Sequence, residues 1–441
     1  PLREGPVVRA GFNPGVQSRM VEVPAALGWT FTHKITQADG QYDVPLDVMS
    51  YRPSYDVTYY VDVATGANAG AGGINAPFRS IWYAVNKAFN DNVAARIIVK
   101  AGLYTRRDSW QSAAAKNMIV EVVTDFVSMR PGIAISSVGY GPDTLGSWAL
   151  SSGKTYTYEA TLADTPYDVV DAAVPDANGV PTPLTSRASA ALVEANPGSW
   201  YHDDAANILY VHRIGGTAPD ANVEALRASS INGHVSLPVN LWIRGIRFRG
   251  GNLRAFYGQD FDQVTMVDCQ GELSQGEGIS FTTSAAGRAH KVRLVRCRSF
   301  ANKAGDGFQY TVGHVTSALD FLELNCVGGD NGRNAGANQG SSAHGTNVRG
   351  VRVNGRYIRN EAQAVADVLG AKSLNVGCVG QWTRSGSQGT GFYCGSGKMW
   401  LLGCSGTFAT GTAAGGDNTG TLYLRNCKKL GYAGEGTLTT W

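Results

Sequence analysis

The chain is short of charge for its size. Charged residues make up 17% of its 441 positions, against roughly 25% in an average soluble domain. The 38 Lys and Arg nearly cancel the 35 Asp and Glu, leaving +3. So even a balance argues against nucleic acid or an anionic membrane as the main partner. No run approaches the ~18 apolar residues of a membrane helix, so insertion by a spanning helix is excluded. Cysteine is absent before residue 269, and no CxxC pair occurs anywhere. That disfavours a zinc ribbon or a thioredoxin-type site. What the chain does have is 43% apolar residues, enough for a large core.

The cysteines that are present carry a pattern. Leaving out Cys394, they stand at 269, 297, 326, 378, 404 and 427, with spacings of 28, 29, 52, 26 and 23. The 52 is two periods of 26, and the missing member is Gly355. A short β-prone run precedes each one: VTMVDC, VRLVRC, FLELNC, LNVGC, WLLGC and TLYLRNC. These runs alternate with period 2, which excludes a helical repeat. Variable repeat length around constant strand cores predicts a right-handed parallel β-helix, an all-β solenoid with a rise of ~4.8 Å per coil. In such a fold equivalent residues stack. Val267, Val295, Leu324, Val353, Val376 and Leu402 are expected as an inner aliphatic stack. The cysteines are expected buried and reduced at the next bend, with Cys394 the one thiol open to reagents. Asn325 and Asn354 are expected to form an amide ladder.

Residues 1–57 read as an irregular linker or cap, and 58–136 as the start of the solenoid. There the strand Thr58–Val63 leads into a Gly/Ala/Asn loop, Pro77 and an amphipathic helix. Phe78, Ile81, Trp82, Val85 and Phe89 lie on one helix face, suited to capping the open end of a solenoid. Asn75 stands where a third Gly would complete GxGxxG, so the loop is not read as a phosphate cradle. Residues 137–225 lack the repeat and are read as a β-rich insertion. Its aromatics, Trp148 and Trp200 among them, are assigned to packing before sugar stacking. The main β-helix spans 226–441.

The segment TYYVDVATGANAGAGGINAPFRSIWYAVNKAF, followed by RIIVKAGLY, resembles the opening of right-handed β-helix carbohydrate-active proteins. The matching positions are Tyr59–Val61, Pro77–Ile81, Ala84, Ala88 and Ile98 through Tyr104. Pro197–Ala225 resembles an inserted β-domain of some β-helix glycosidases. The later repeat blocks resemble phage-tail-associated β-helix proteins. The family includes pectate-lyase-like enzymes, glycoside hydrolases and phage tailspike depolymerases. The resemblance implies an extracellular or virion-borne protein, a polysaccharide substrate, and a homotrimer as a candidate assembly. The catalytic motifs of pectate lyases and polygalacturonases are not recognisable here, which speaks against those two activities.

Candidate chemistry comes from aligning the repeats. GEGISF over GDGFQY superposes Glu277 on Asp306, one coil apart. The X-Gly pair His344-Gly345 and Asp367 of VADV are placed next in the same column. Two carboxylates on adjacent coils suit glycoside hydrolysis, one as acid and one as nucleophile or base. The catalytic set is therefore Glu277, Asp306, His344 and Asp367. Arg333 is a candidate for a sugar carboxylate, and Asp330, Tyr310 and Trp382 complete the substrate-binding set. The function expected is a polysaccharide depolymerase of hydrolase type. The alternatives are a lyase acting beside a uronate and a non-catalytic glycan-binding adhesin. No cofactor is expected. Asp330 with Asn331, and Asp417 with Asn418, offer oxygens to Ca²⁺, but neither forms a complete calcium loop and turn roles are preferred.

Overall fold

A computed structural model describes residues 19–440 apart from 30, 39–40, 106–109, 113–115, 141–144, 146, 228–230, 237–238, 334–338, 382–389, 411–419 and 434–436. Each typical coil gives three strands, as in 263–267, 270–272 and 277–283. The first kind stacks in parallel into a twelve-stranded sheet. The other two kinds form an eighteen-stranded sheet. Coil follows coil in register, for example Val267 on Val295 on Leu324 on Val353. The parallel β-helix predicted by the repeat is the fold of the chain.

A left-handed residue turns the first bend of each coil. Asp268, Arg296, Asn325, Asn354 and Asn426 have φ of 53–55°, and Gly377 and Gly403 have 62°. Asn and Gly tolerate this conformation best. The bend breaks the alternation of the strand, and one expectation fails on it. Val267, Val295, Leu324, Val353, Val376 and Leu402 do stack, but they point away from the lumen. Their cover is the leading segment, through Leu27, Ile35, Tyr42 and Val44. The lumen takes the residue before each of them, such as Met266 and Leu294, together with the cysteines beyond the bend. Cys269, Cys297, Cys326, Cys378 and Cys404 are buried as expected. Cys394 is buried too, contrary to expectation, and the partly exposed thiol is Cys427. The Asn325–Asn354 amide bond is present at 3.2 Å.

The helix Ile81–Asn90 begins at Ser80, whose hydroxyl accepts from the Tyr83 amide. It closes the lumen with Phe78, Ile81, Ala84, Val85 and Ala88. Phe89 faces outward instead. Between the early coils and the main solenoid lie a five-stranded and a three-stranded sheet, drawn from 149–212 and 166–227. Trp200 is in their core, donating to the Leu184 carbonyl, while Tyr156 is half exposed and stacked on His212. Tyr167, Val170, Val180 and Leu226 dock this insertion on Leu273 and Phe300 of the solenoid.

Candidate functional site

Glu277 and Asp306 occupy equivalent positions on adjacent coils, since Ile279 pairs with Phe308. Simple alternation would turn both carboxylates toward the apolar lumen. Gly278 and Gly307 prevent it. A Cβ on Gly278 would lie 1.9 Å from Ser299 Oγ, and one on Gly307 2.5 Å from the Gly340 carbonyl. Glycine thus lets the backbone close against the bend, and the residue before it is freed to face outward. Behind this bend runs a buried amide ladder, in which Asn302 donates to Asn331 at 2.8 Å and Asn331 to Asn360 at 2.9 Å. Ser274 is tied to the same ladder through Asn302. The acidic residues therefore sit on rigid backbone.

Asp306 accepts from the Gln339 amide at 2.8 Å and from the Ser342 hydroxyl. His344 Nε2 lies 3.7 Å from its Oδ2. Among the described residues that nitrogen has no hydrogen-bond partner, while the ring is partly exposed. Glu277 accepts from Gln309 Nε2 at 3.3 Å and faces Arg254 Nε at 3.3 Å. Burial pushes the Glu277 carboxyl above its ordinary range. Arg254 opposes that shift and the Asp306 charge adds to it. Arg254 also donates to Ser280 and lies over the Tyr257 ring, which stacks on His234. The result is a protonatable carboxyl and an imidazole, both partly exposed, with the hydrogen-bonded Asp306 buried between their strands.

The predicted column is corrected beyond Asp306. Asp306 is matched by Gln339 on the next coil, because Phe308 pairs with Ser341. His344 stands opposite Thr311 instead, and reaches Asp306 by its side chain. Asp367 is fully buried inside the solenoid, held by Arg352 at 3.1 Å and by Ser373. It sits opposite Ala343, on the inward side of the strand that carries His344 outward. Tyr310 is also internal, stacked between Phe281 and Phe321 with ring centroids 5.8 and 3.8 Å away. Neither side chain can touch a ligand on the outer face. Arg333 is committed to the insertion, bonding Asp168 at 2.7 Å and the Ala301 carbonyl at 2.8 Å. Asp330 is engaged by Nε and Nη2 of Arg359, at 3.0 and 2.6 Å. Its neighbour Asn331 belongs to the amide ladder, so the pair does not open toward a cation. Trp382 and the Asp417–Asn418 pair lie outside the described residues.

Sequence reasoning missed Arg254, Gln309 and Ser342. Glutamine and serine on a strand carry no distinctive signal. A correct register would still have pointed to them, because Ser280, Gln309 and Ser342 form one outward row.

No known protein family matches the chain, and no curated protein matches its sequence. Solved structures do. A glycoside hydrolase superposes with a TM-score of 0.51 at 10% identity, over 87% of this chain and 96% of its own. Pectate lyase Pel9A gives 0.43 at 11% identity, over 89% and 79%. The tailspike protein gp49 from Pseudomonas phage LKA1 gives 0.24 at 11%, over 81% and 71%. At such identity the likeness to the first is a likeness of fold.

Proposed function

We propose that the chain is a polysaccharide-acting enzyme, a glycoside hydrolase that cleaves a bacterial surface, capsular or exopolysaccharide along the outer face bearing Glu277 and Asp306. The observation that carries this reading is the pair itself: two carboxyl groups on adjacent coils, one pushed up by burial and by the other's charge. Glu277 is assigned as the acid that protonates the leaving glycosidic oxygen. Asp306 is the nucleophile or the base that activates water, and a separation of ~5–5.5 Å or ~6.5–9.5 Å in the bound complex decides between retention and inversion. His344 flanks Asp306, with Nε2 3.7 Å from its Oδ2. An extracellular or virion-borne setting suits such a substrate, and trimerisation through the helix flank is tested by light scattering.

A lyase is the second reading, favoured by Arg254 beside Glu277, since a guanidinium there would neutralise a uronate while His344 removes the neighbouring proton. One experiment separates the readings. The protein is screened against bacterial capsular polysaccharides and exopolysaccharides for new reducing ends and for ultraviolet-absorbing unsaturated ends. Hydrolysis gives only the former, and elimination gives both. Glycan binding without either would reject an enzyme. For the active glycan, Glu277→Gln and Asp306→Asn should each lower the rate at least ~10²-fold with little change in melting temperature. A fall in melting temperature with specific activity intact would return the pair to a purely structural role at the bend.

A further inference from the structure

We propose that Arg247, Arg298 and Arg356 form a second site, which binds an acidic polysaccharide carrying one carboxylate per two sugars. The three lie in one outward row of the solenoid, in the order Arg247, Gln270, Arg298, Val327, Arg356 on successive coils. Each arginine is therefore two strand spacings from the next, about 9.5 Å. The row runs along the margin of the insertion, away from the Glu277–Asp306 face, and its ligand need not be the cleaved one.

Three observations point to an anion. Arg298 and Arg356 have no salt-bridge partner among the described residues. Arg356 is exposed and Arg298 is half-buried over Phe300, 4.8 Å from its ring. Burial and the charge of Arg247 both work against the charge of Arg298. The compensation available is partial. Asp176, at the tip of the hairpin formed by Pro166–Pro175 and Pro181–Pro183, and Glu272, itself bonded by Arg249 at 2.7 Å, act on Arg298. However, Asp176 also accepts from the Asn178 and Val180 amides. Among the described residues Arg247 donates only to the Gly179 carbonyl, at 3.3 Å. The nearby Arg359 is saturated by Asp330.

The spacing chooses the ligand. Guanidinium forks match carboxylates in a bidentate geometry, and an extended glycan with alternating neutral and acidic sugars presents its charges at about this interval. A strand of duplex DNA presents one every ~3.4 Å, far denser than the row, and the chain's net charge of +3 lacks the excess of a nucleic-acid binder. This inference does not rest on the proposed catalysis, and its readout is binding alone.

The test uses the whole protein in biolayer interferometry against immobilised hyaluronan, whose carboxylate recurs every second sugar, with dextran and oligothymidylate alongside. Hyaluronan should bind in preference to both, and more weakly as salt rises. The double variant Arg298→Gln/Arg356→Gln should lose at least ~10-fold in affinity, on the scale of a charge-assisted pair, and Arg298→Lys/Arg356→Lys should keep part of it. The Gln variant should melt no lower than the parent, since it removes repulsion at the surface. Equal binding by the Gln variant, no binding above dextran, or preference for oligothymidylate would each overturn the proposal.

Discussion

His344 approaches Asp306 across the solenoid face without being its partner in the sheet. Its Nε2 is 3.7 Å from Asp306 Oδ2, yet the backbone opposite Asp306 belongs to Gln339, whose amide bonds the same carboxylate. Asp306 is thus fixed by main chain on one side and met by a titratable ring on the other.

The imidazole is expected to matter through its proton. His344→Gln keeps a polar side chain and removes titration. If the ring acts as acid or base, kcat should fall ~10²–10⁴-fold, and one limb of the pH–kcat profile should vanish. A change in KM alone would make His344 a binding residue. Loss of activity only in proportion to lost folded protein would make it a structural one.

Glu277 predicts a pH-dependent stability. Its carboxyl holds its proton more tightly in the folded chain than at its ordinary value of 4.5. The stability this contributes is present below that value and is lost as pH rises through the raised one. Glu277→Gln should therefore melt at or above the parent temperature at pH 7, with the gap closing toward pH 4. A variant less stable than the parent at pH 7, by a margin that shrinks toward pH 4, would show that the Arg254 contact outweighs burial.

The thiols should divide sharply. Cys427 is partly exposed and its thiol is lowered to about 7 by a hydrogen bond from Cys404. Burial pushes Cys394 up to about 12. A thiol reagent at pH 7.5 should label one cysteine per native chain, and Cys427→Ser should abolish that reaction. Two or more equivalents would mean that the last coils open readily.

The lumen holds an ion cluster whose disruption should be costly. Arg352 bonds Asp367 and lies 3.4 Å from Glu323, with all three side chains fully buried. Tyr357 and Ser341 donate to Glu323. Arg352→Met leaves two carboxylates uncompensated and should destabilise by about 3–5 kcal/mol in urea unfolding. The deficit should shrink on acidification, as the carboxylates take up protons. Adding Glu323→Gln and Asp367→Asn should recover most of the loss. A deficit independent of pH would assign the effect to packing over Phe321, whose ring the guanidinium covers.

Much of the fold was legible because the cysteine and asparagine positions mark a bend that every coil repeats. The pairing of Glu277 with Asp306 was legible for the same reason, as both coils keep one spacing to the next cysteine. His344 was misaligned because the coil from Cys326 to Gly355 keeps the length of its predecessor, 29 residues, while its bend-to-strand lengths change in compensation. The inner and outer faces were exchanged because period-2 counting cannot be carried through a left-handed residue. Asp367 was misread because carboxylates seldom lie in a lumen, and the arginine that makes this possible is on another strand of the same coil, 15 residues earlier.

The leading segment changes what kind of mechanical object the solenoid is. Gly28 accepts from Arg349, Tyr42 from Asn354 and Val48 from Trp242, so one short stretch staples coils separated by some 100 residues of chain. A repeat array without such a staple unzips one unit at a time from its ends. Here the central coils cannot loosen singly without releasing the staple from all of them, so they should exchange their amide protons as a block. The staple has no surface to dock on until those coils exist. It is therefore a late event in folding, closing loops of up to 321 residues, and it adds the non-local contacts that slow a chain's approach to its native state.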